Sequence, residues 1–350
     1  MTEKKYRAVI VGLTGIGAAR PEESSDPVYG AMPNSHASAY YRHPQTDVVA
    51  VCDLKQDMLN GFCKKWGDVW PDVRTYMNYQ EMFDKEKPDM ISIVTPDHFH
   101  AAVTVAASES GARAILCEKP IATTLEDADR MIEAAEKNNV LLSIEHSRRW
   151  HPSYLKTRRI IQSGDIGPVR TIVCEMFGQR SMMFRNGTHL LDLVCFFAGG
   201  NPGWVMADLE DGFEHFTEYK GDGGHNPKTD PYASMYIKFD NGVRSFVNFY
   251  KIDFPGFKLS ITCEKGRIEI SDQKTELITT GLSHGWSHCD IPTEPFMLIR
   301  QGGAVAELVH VMEHGGELIS PPREARKTLE TMLGVLKSHH LGNVRVNLGK

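Results

Sequence analysis

Three glycines and one acid near the start of the chain have the types and spacing to hold a dinucleotide. Gly12-Leu13-Thr14-Gly15-Ile16-Gly17 follows an apolar run over 6–12. A glycine turn after an early strand lets backbone N–H groups approach a pyrophosphate at a helix N-terminus. Gly12, Thr14, Gly15 and Ile16 would line that approach. The order is G-x-x-G-x-G rather than G-x-G-x-x-G, and glycines after a strand are also ordinary turn residues. A second apolar run, 47–53, ends in Asp53. A carboxylate there accepts hydrogen bonds from the adenosine ribose diol and repels a 2′-phosphate, which favours NAD over NADP. The other reading of Asp53 is the N-cap of a helix starting at Leu54. Lys55 keeps NADP open as the lesser choice. Asp53 lies 41 residues after Gly12 (53 − 12), against roughly 20 in the usual spacing. An insertion at 18–34 accounts for the excess.

The elements that would position these residues alternate. Strand-like runs at 6–12, 47–53, 89–95, 113–118 and 140–146 are separated by helical patterns at 54–66, 79–85, 99–110 and 125–138. Such alternation implies a parallel, doubly wound α/β sheet, and its nearly all-apolar strands fit burial on both faces. Beyond residue 150 the pattern changes. Pro152 opens a helix through Ile161 that ends at Ser163-Gly164. Alternating strands follow at 169–177, 232–239, 244–250, 258–263 and 267–270, with turn signals at Asp240-Asn241-Gly242 and Glu264-Lys265-Gly266. Helices are expected at 187–198, 297–314 and 322–340. The second half therefore reads as an α+β domain with a large, mostly antiparallel sheet. The domain limits expected are 1–122 for the Rossmann core, with its last helix and strand reaching about 150. The substrate and oligomerisation domain would span 151–320, and a C-terminal helix and tail over 321–350 would pack back on the domains. Two stretches without periodicity, 20–34 and 218–230, read as loops.

Bulk properties narrow the function classes. The chain has 350 residues, 41% of them hydrophobic, which favours two domains over one core. A net charge of −6 argues against nucleic acid and anionic membranes as partners. Apolar runs are strand-sized, well short of a bilayer span. The N-terminus lacks a signal-peptide pattern. The seven cysteines form no C-x-x-C pair and read as reduced thiols, so a cytoplasmic location is expected.

Four further motifs fall in order along the chain. Thr95-Pro96-Asp97-His98-Phe99-His100 follows the strand at 89–95. Cys117-Glu118-Lys119-Pro120 closes the next strand, and His146-Ser-Arg-Arg-Trp-His151-Pro152 the one after. Gly187-Thr188-His189-Leu190-Leu191-Asp192 opens a helix in the second half. With the glycine turn and Asp53, they make a sequence that resembles the glucose–fructose oxidoreductase, inositol dehydrogenase and rhizopine-catabolism (Gfo/Idh/MocA) family over nearly the whole chain. The E-K-P triplet is the most specific part of the match.

The resemblance implies a Rossmann domain, then a sheet domain whose open face packs on another subunit as a homodimer or homotetramer. It implies NAD or NADP as cofactor, and sugars, sugar derivatives or inositols as substrates. It assigns reach to the reacting hydroxyl to Lys119 and a share of the proton traffic to His189. It also implies a cis peptide before Pro120. The chemistry agrees: oxidising a secondary alcohol needs a hydride acceptor and a base for the hydroxyl proton. A lysine beside a nicotinamide cation and partly desolvated loses proton affinity, and histidine titrates in the needed range. Thr95, Pro96, His100 and Glu118 fall at strand ends beside the expected cofactor cleft, and His36 early in the first crossover helix. Arg148 and Trp150, flanking Arg149, offer donors and an aromatic face for a polyol, or else cement an interface. Asp192, one turn beyond His189, either orients the imidazole, binds a substrate hydroxyl or is an acid on the helix surface. The sequence departs from the inositol dehydrogenase branch at Arg185, where relatives carry an aspartate four residues before the histidine. Arg185 then serves either substrate binding or an ion pair. His98-x-His100, His284-x-x-x-His288 and His339-His340 join no set with zinc spacing, so no metal is expected. The leading reading is an NAD-dependent sugar or polyol dehydrogenase. The others are a redox-neutral glycoside-cleaving enzyme that oxidises and re-reduces its substrate, and a non-catalytic NAD-binding sensor.

Overall fold

The computed structural model describes residues 5–21, 33–221, 226–280, 285–292 and 300–349. In chain order the elements are β1 (Tyr6–Val11), α1 (Gly15–Ala18), α2 (His36–Arg42), β2 (Thr46–Cys52), α3 (Gln56–Trp66), β3 (Arg74–Tyr76), α4 (Tyr79–Glu86), β4 (Met90–Ile93), α5 (His100–Glu109), β5 (Ala114–Cys117), α6 (Leu125–Lys137) and β6 (Leu141–Ile144). They continue as α7 (Pro152–Ser163), β7 (Val169–Phe177), α8 (Thr188–Ala198), β8 (Pro202–Leu209), β9 (Ala233–Phe239), β10 (Arg244–Tyr250), β11 (Gly256–Cys263), β12 (Gly266–Ser271), β13 (Thr275–Thr280), β14 (Trp286–Asp290), α9 (Gln301–His314), α10 (Pro322–His340) and β15 (Val346–Asn347). The chain divides into two compact units, Met1–Trp150 with Pro295–Arg323, and His151–Glu294 with Glu324–Lys350.

In the first unit six parallel strands lie in the order β3-β2-β1-β4-β5-β6. The order reverses between β1 and β4, the switch point outside which open α/β sheets bind ligands. The expected doubly wound α/β fold is therefore observed. Local signals set the helix limits. Thr124 caps α6 by accepting from the Asp127 N–H at 3.1 Å, with Glu126 and Asp127 in the positive first turn. The expected single domain over 151–320 is corrected. Helix α9 belongs to the N-terminal unit, because Ala304, Val305, Leu308 and Val309 are buried in the same core as Ile10, Tyr40 and Leu116. The pattern over 297–314 shows that a helix forms there, but not which sheet it returns to. Residues 297–299 of that expectation, and 22–32 and 222–225 of the two expected loops, lie outside the described residues.

In the second unit nine strands form one sheet, β14-β13-β12-β11-β7-β10-β9-β8-β15. Its neighbours are antiparallel except β10 with β7. Both expected turns close hairpins, β9–β10 and β11–β12. Burial alternates along β8, β9 and β10, so one face is covered and the other open. Among the described residues no helix is long and apolar enough to cross a membrane.

Candidate active site

The glycine turn is shaped by contacts that leave one side open. Gly12 has φ +96° and its N–H donates to the Cys52 carbonyl at 2.8 Å; a Cβ there would lie 2.3 Å from the Val94 carbonyl oxygen. A Cβ on Gly17 would lie 2.3 Å from the Gly12 carbonyl oxygen. Both positions accept only glycine. A Cβ on Gly15 would meet nothing within 4 Å, and Thr14, Gly15 and Ile16 are exposed. The turn is thus closed toward the sheet and open outward, as a pyrophosphate cradle must be. The expected crossover helix is interrupted: α1 is a single turn, and α2 begins only at His36. The polar, Pro- and Gly-rich residues between them account for the long spacing to Asp53. Asp53 ties the turn to β2, accepting from the Leu13 N–H at 2.9 Å through Oδ2 and from the Lys55 N–H at 3.0 Å through Oδ1. The helix after it starts at Gln56 rather than Leu54, with Lys55 at the N-cap position, so Asp53 is not its N-cap.

Glu118 and Lys119 follow β5, and Lys119–Pro120 is cis. Behind them runs a buried polar chain. Tyr40 Oη lies 2.9 Å from Ser92 Oγ, Ser92 Oγ 2.8 Å from His36 Nδ1, and His36 Nε2 3.2 Å from Glu118 Oε1. Burial drives the Tyr40 phenol well above its ordinary range, so Tyr40 stays a donor. A consistent assignment then has Tyr40 donating to Ser92, Ser92 to His36 Nδ1, and His36 Nε2–H to the carboxylate. Burial works to raise the Glu118 pKa. The hydrogen bond from His36, with Lys119 nearby, prevails and holds it below the usual range. Its other oxygen, Oε2, accepts from the Lys119 N–H at 3.3 Å.

His100 does not face the cleft as a lining residue; it is fully buried. Its Nδ1 lies 2.9 Å from the Pro120 carbonyl and its Nε2 3.0 Å from the Thr95 carbonyl. Two acceptors on one ring call for two donors, which only the imidazolium has. Burial opposes that charge, but Cys117, Asp97 and the Pro120 carbonyl prevail and push the pKa up to about 10. His100 therefore clamps the Thr95 and Pro120 loops together from beneath. Thr95 is half-buried and Pro96 exposed.

Arg148, Arg149 and Trp150 form a 3₁₀ turn. Arg148 is half-buried. Arg149 is buried and donates to the Ile319 carbonyl at 2.7 Å. Trp150 belongs to the core, not to a pocket wall. Its indole N–H donates to Glu307 Oε2 at 3.2 Å, and a Cβ on Gly303 would sit 2.7 Å from its own Cβ. An aromatic type suited to a sugar was instead used for packing against α9.

In the second unit, Met183–Gly187 makes a π-type turn that leads directly into α8. Asp230, fully buried, holds it: Oδ1 accepts from the Phe184 N–H at 3.1 Å and Oδ2 from the Arg185 N–H at 3.0 Å. The Phe184 ring stacks on Tyr219 at 3.7 Å, and a Cβ on Gly187 would meet the Phe249 ring at 2.8 Å. Arg185 and His189 are half-exposed on this turn and the helix start. Asp192 is completely buried and accepts from Thr328 Oγ1 of α10 at 3.4 Å, so it is not an acid on the helix surface. Sequence reasoning missed Asp230, whose loop has no periodicity. It also missed Glu145 and Glu307, acids in apolar surroundings that sequence alone marks only as oddities.

The turn at Gly12–Gly17, its anchor Asp53, and the Glu118–Lys119 pair fit a nicotinamide dinucleotide at the carboxyl ends of the strands. Comparison with known proteins agrees. Residues 28–146 match a family profile described as an oxidoreductase family with an NAD-binding Rossmann fold, and residues 154–269 match the C-terminal domain profile of the same family. D-glucoside 3-dehydrogenase of Escherichia coli K12 is 32% identical over 136 residues, 38% of this chain and 37% of that protein. Inositol 2-dehydrogenase of Salmonella paratyphi B is 29% identical over 162 residues, 46% of this chain and 43% of that protein. The chain thus matches under half the length of either relative. A solved oxidoreductase from Agrobacterium radiobacter, in complex with NAD+, L-tartaric acid and magnesium, shares the fold with a TM-score of 0.74. The two are 18% identical, and the match covers 98% of both chains. Two profiles of one family match residues 28–146 and 154–269 in the right order, taking in Asp53, the Glu118-Lys119-Pro120 triplet and His189, and make this chain a member of the Gfo/Idh/MocA oxidoreductase family.

Proposed function

We propose that the chain is an NAD-dependent oxidoreductase acting on a secondary hydroxyl or ketone of a sugar, sugar derivative or inositol, with Lys119 and His189 carrying the proton. The observation that carries this reading is the placement of Lys119. It follows a carboxylate, Glu118, that is 12% exposed and is fixed by His36 at the carboxyl end of β5. The nicotinamide, when bound, supplies the two-electron acceptor for the substrate carbon. Lys119 then needs to move a proton at the hydroxyl oxygen, and His189 to exchange it onward. Asp53, held at both oxygens beside the glycine turn, supports NAD over NADP, and exposed Lys55 keeps NADP as the lesser choice. Activities named for the glucoside and inositol relatives support a polyhydroxylated substrate.

The test is absorbance at 340 nm with NAD+ and then NADP+ across free sugars, inositols, sugar acids and glycosides, with product chromatography on the same samples. A rise with NAD+ and one polyol is expected. A new product without a rise replaces this reading with redox-neutral cleavage, and neither signal with any compound overturns it.

We further infer that a second copy of this chain covers the open face of the sheet in the second unit. Tyr236 stacks on Phe246 at 4.8 Å and meets Trp204 edge-on at 4.9 Å. Val173, Met206, Phe246 and Tyr250 are 39–46% exposed on the same face. An apolar stripe of this kind on a soluble fold favours association.

A further inference from the structure

Glu145 is the most anomalous polar group of the first unit. It follows β6 directly and is 1% exposed, and among the described residues neither of its carboxyl oxygens has a hydrogen-bond partner. Its backbone N–H donates to the Cys117 carbonyl at 2.8 Å. The parallel register Cys117↔Ile144 brings the next residues of the two strands, Glu118 and Glu145, side by side. Parallel neighbours in register point to the same face of a sheet. On that face β4 carries Ser92, bonded to His36, and the other charged groups that act on Glu145 are Arg300, just before α9, and Glu307 within it. Glu118 is engaged at both oxygens, by His36 and by the Lys119 N–H. Two carboxyls so close, one of them buried, do not both ionise readily, and the one with donors keeps the charge.

We propose that Glu118 and the buried Glu145 form an acid dyad beside Lys119, in which Glu145 holds the proton and Glu118 the charge. Glu145 is then a positioning residue. Lys119 faces one carboxylate while Glu145 is neutral and two once it ionises, which strengthens the hold of Lys119 on its own proton in alkaline solution. Burial first, and then Glu118 and Glu307, push the Glu145 pKa well above the carboxylate range, against the opposing pull of Arg300. The bearing on catalysis rests on Lys119 being the proton carrier. The dyad itself does not, so it is tested on cofactor-free protein without substrate, where an inactive enzyme cannot mimic its failure.

Two measurements decide it. Infrared difference spectra of wild type against Glu145→Gln should show the C=O band of a protonated carboxylic acid at pH 7, lost in the variant. The acylation rate of Lys119 against pH, read by mass spectrometry with acetic anhydride, should shift in Glu145→Gln toward lower pH by about one unit. Absence of the band, superimposable Lys119 profiles, or failure of Glu145→Gln to fold would each overturn the proposal, because glutamine copies the neutral acid. Glu118→Gln provides the second variant. It removes the charged neighbour, so the Glu145 band should disappear on alkaline titration at lower pH than in wild type. An unmoved midpoint also overturns the dyad.

Discussion

Lys119 is the residue on which the proposed chemistry turns, and its loss has a specific signature. Lys119→Ala should cut kcat by about 10²–10⁴, the range of positioned acid–base groups. NAD affinity should change only a few-fold, because the glycine turn and Asp53 remain. Turnover at 340 nm and a fluorescence titration of NAD separate the two effects, and surviving turnover would move the proton path elsewhere. His100 makes a different prediction, about stability. Its folded pKa is raised to about 10 from an ordinary value near 6.5, so its contribution is complete below the ordinary value. That contribution is lost as pH rises through about 10. The Tm of the wild type should therefore fall between pH 7 and 10 more steeply than that of His100→Gln. Parallel slopes would mean that the ring is neutral and one nitrogen faces a carbonyl unprotonated. Neither the clamp by His100 nor the burial of Trp150 was legible from residue type, which suits a pocket wall as well as a core. What separated the alternatives was the position of Pro120, Thr95 and α9 around them, all set by tertiary packing.

At the scale of elements, β7, β10 and α10 have the limits expected from alternation, Pro placement and helical spacing. β8 and β13 were not expected, since Pro202-Gly203 opens one and polar Thr and Glu dominate the other. Their place in the sheet comes from pairing with neighbours rather than from local pattern. The π-type turn before α8 was equally invisible, because its support, Asp230, lies 45 residues from Arg185 in sequence. Asp230→Ala should strand two backbone N–H groups, at about 1–3 kcal/mol each. Urea unfolding should show a lower midpoint, with Asp230→Asn, which keeps one acceptor, intermediate. An unchanged midpoint would mean that water or the chain itself replaces the carboxylate.

At the scale of the whole molecule, the open sheet face predicts assembly. Phe246→Glu puts a charge in the centre of the aromatic stripe, where it would be desolvated in an interface. Light scattering after size exclusion should report a dimer or larger for the wild type and a monomer for the variant. A monomeric wild type, or an unchanged mass in the variant, would place association elsewhere.

The sequence by itself determined the parallel Rossmann sheet, the mostly antiparallel second sheet and the glycine turn with its acid. It also determined the order of motifs that identifies the family. Each of these is carried by local periodicity or by residues that only one backbone conformation accepts, as Gly12 at φ +96° illustrates. The tertiary structure alone decided that α9 packs with the N-terminal unit, that Asp192 and Trp150 are buried, and that Glu145 lies beside Glu118. Those outcomes depend on which distant segments meet, and burial of a polar or aromatic side chain follows from that meeting rather than from its neighbours in the chain.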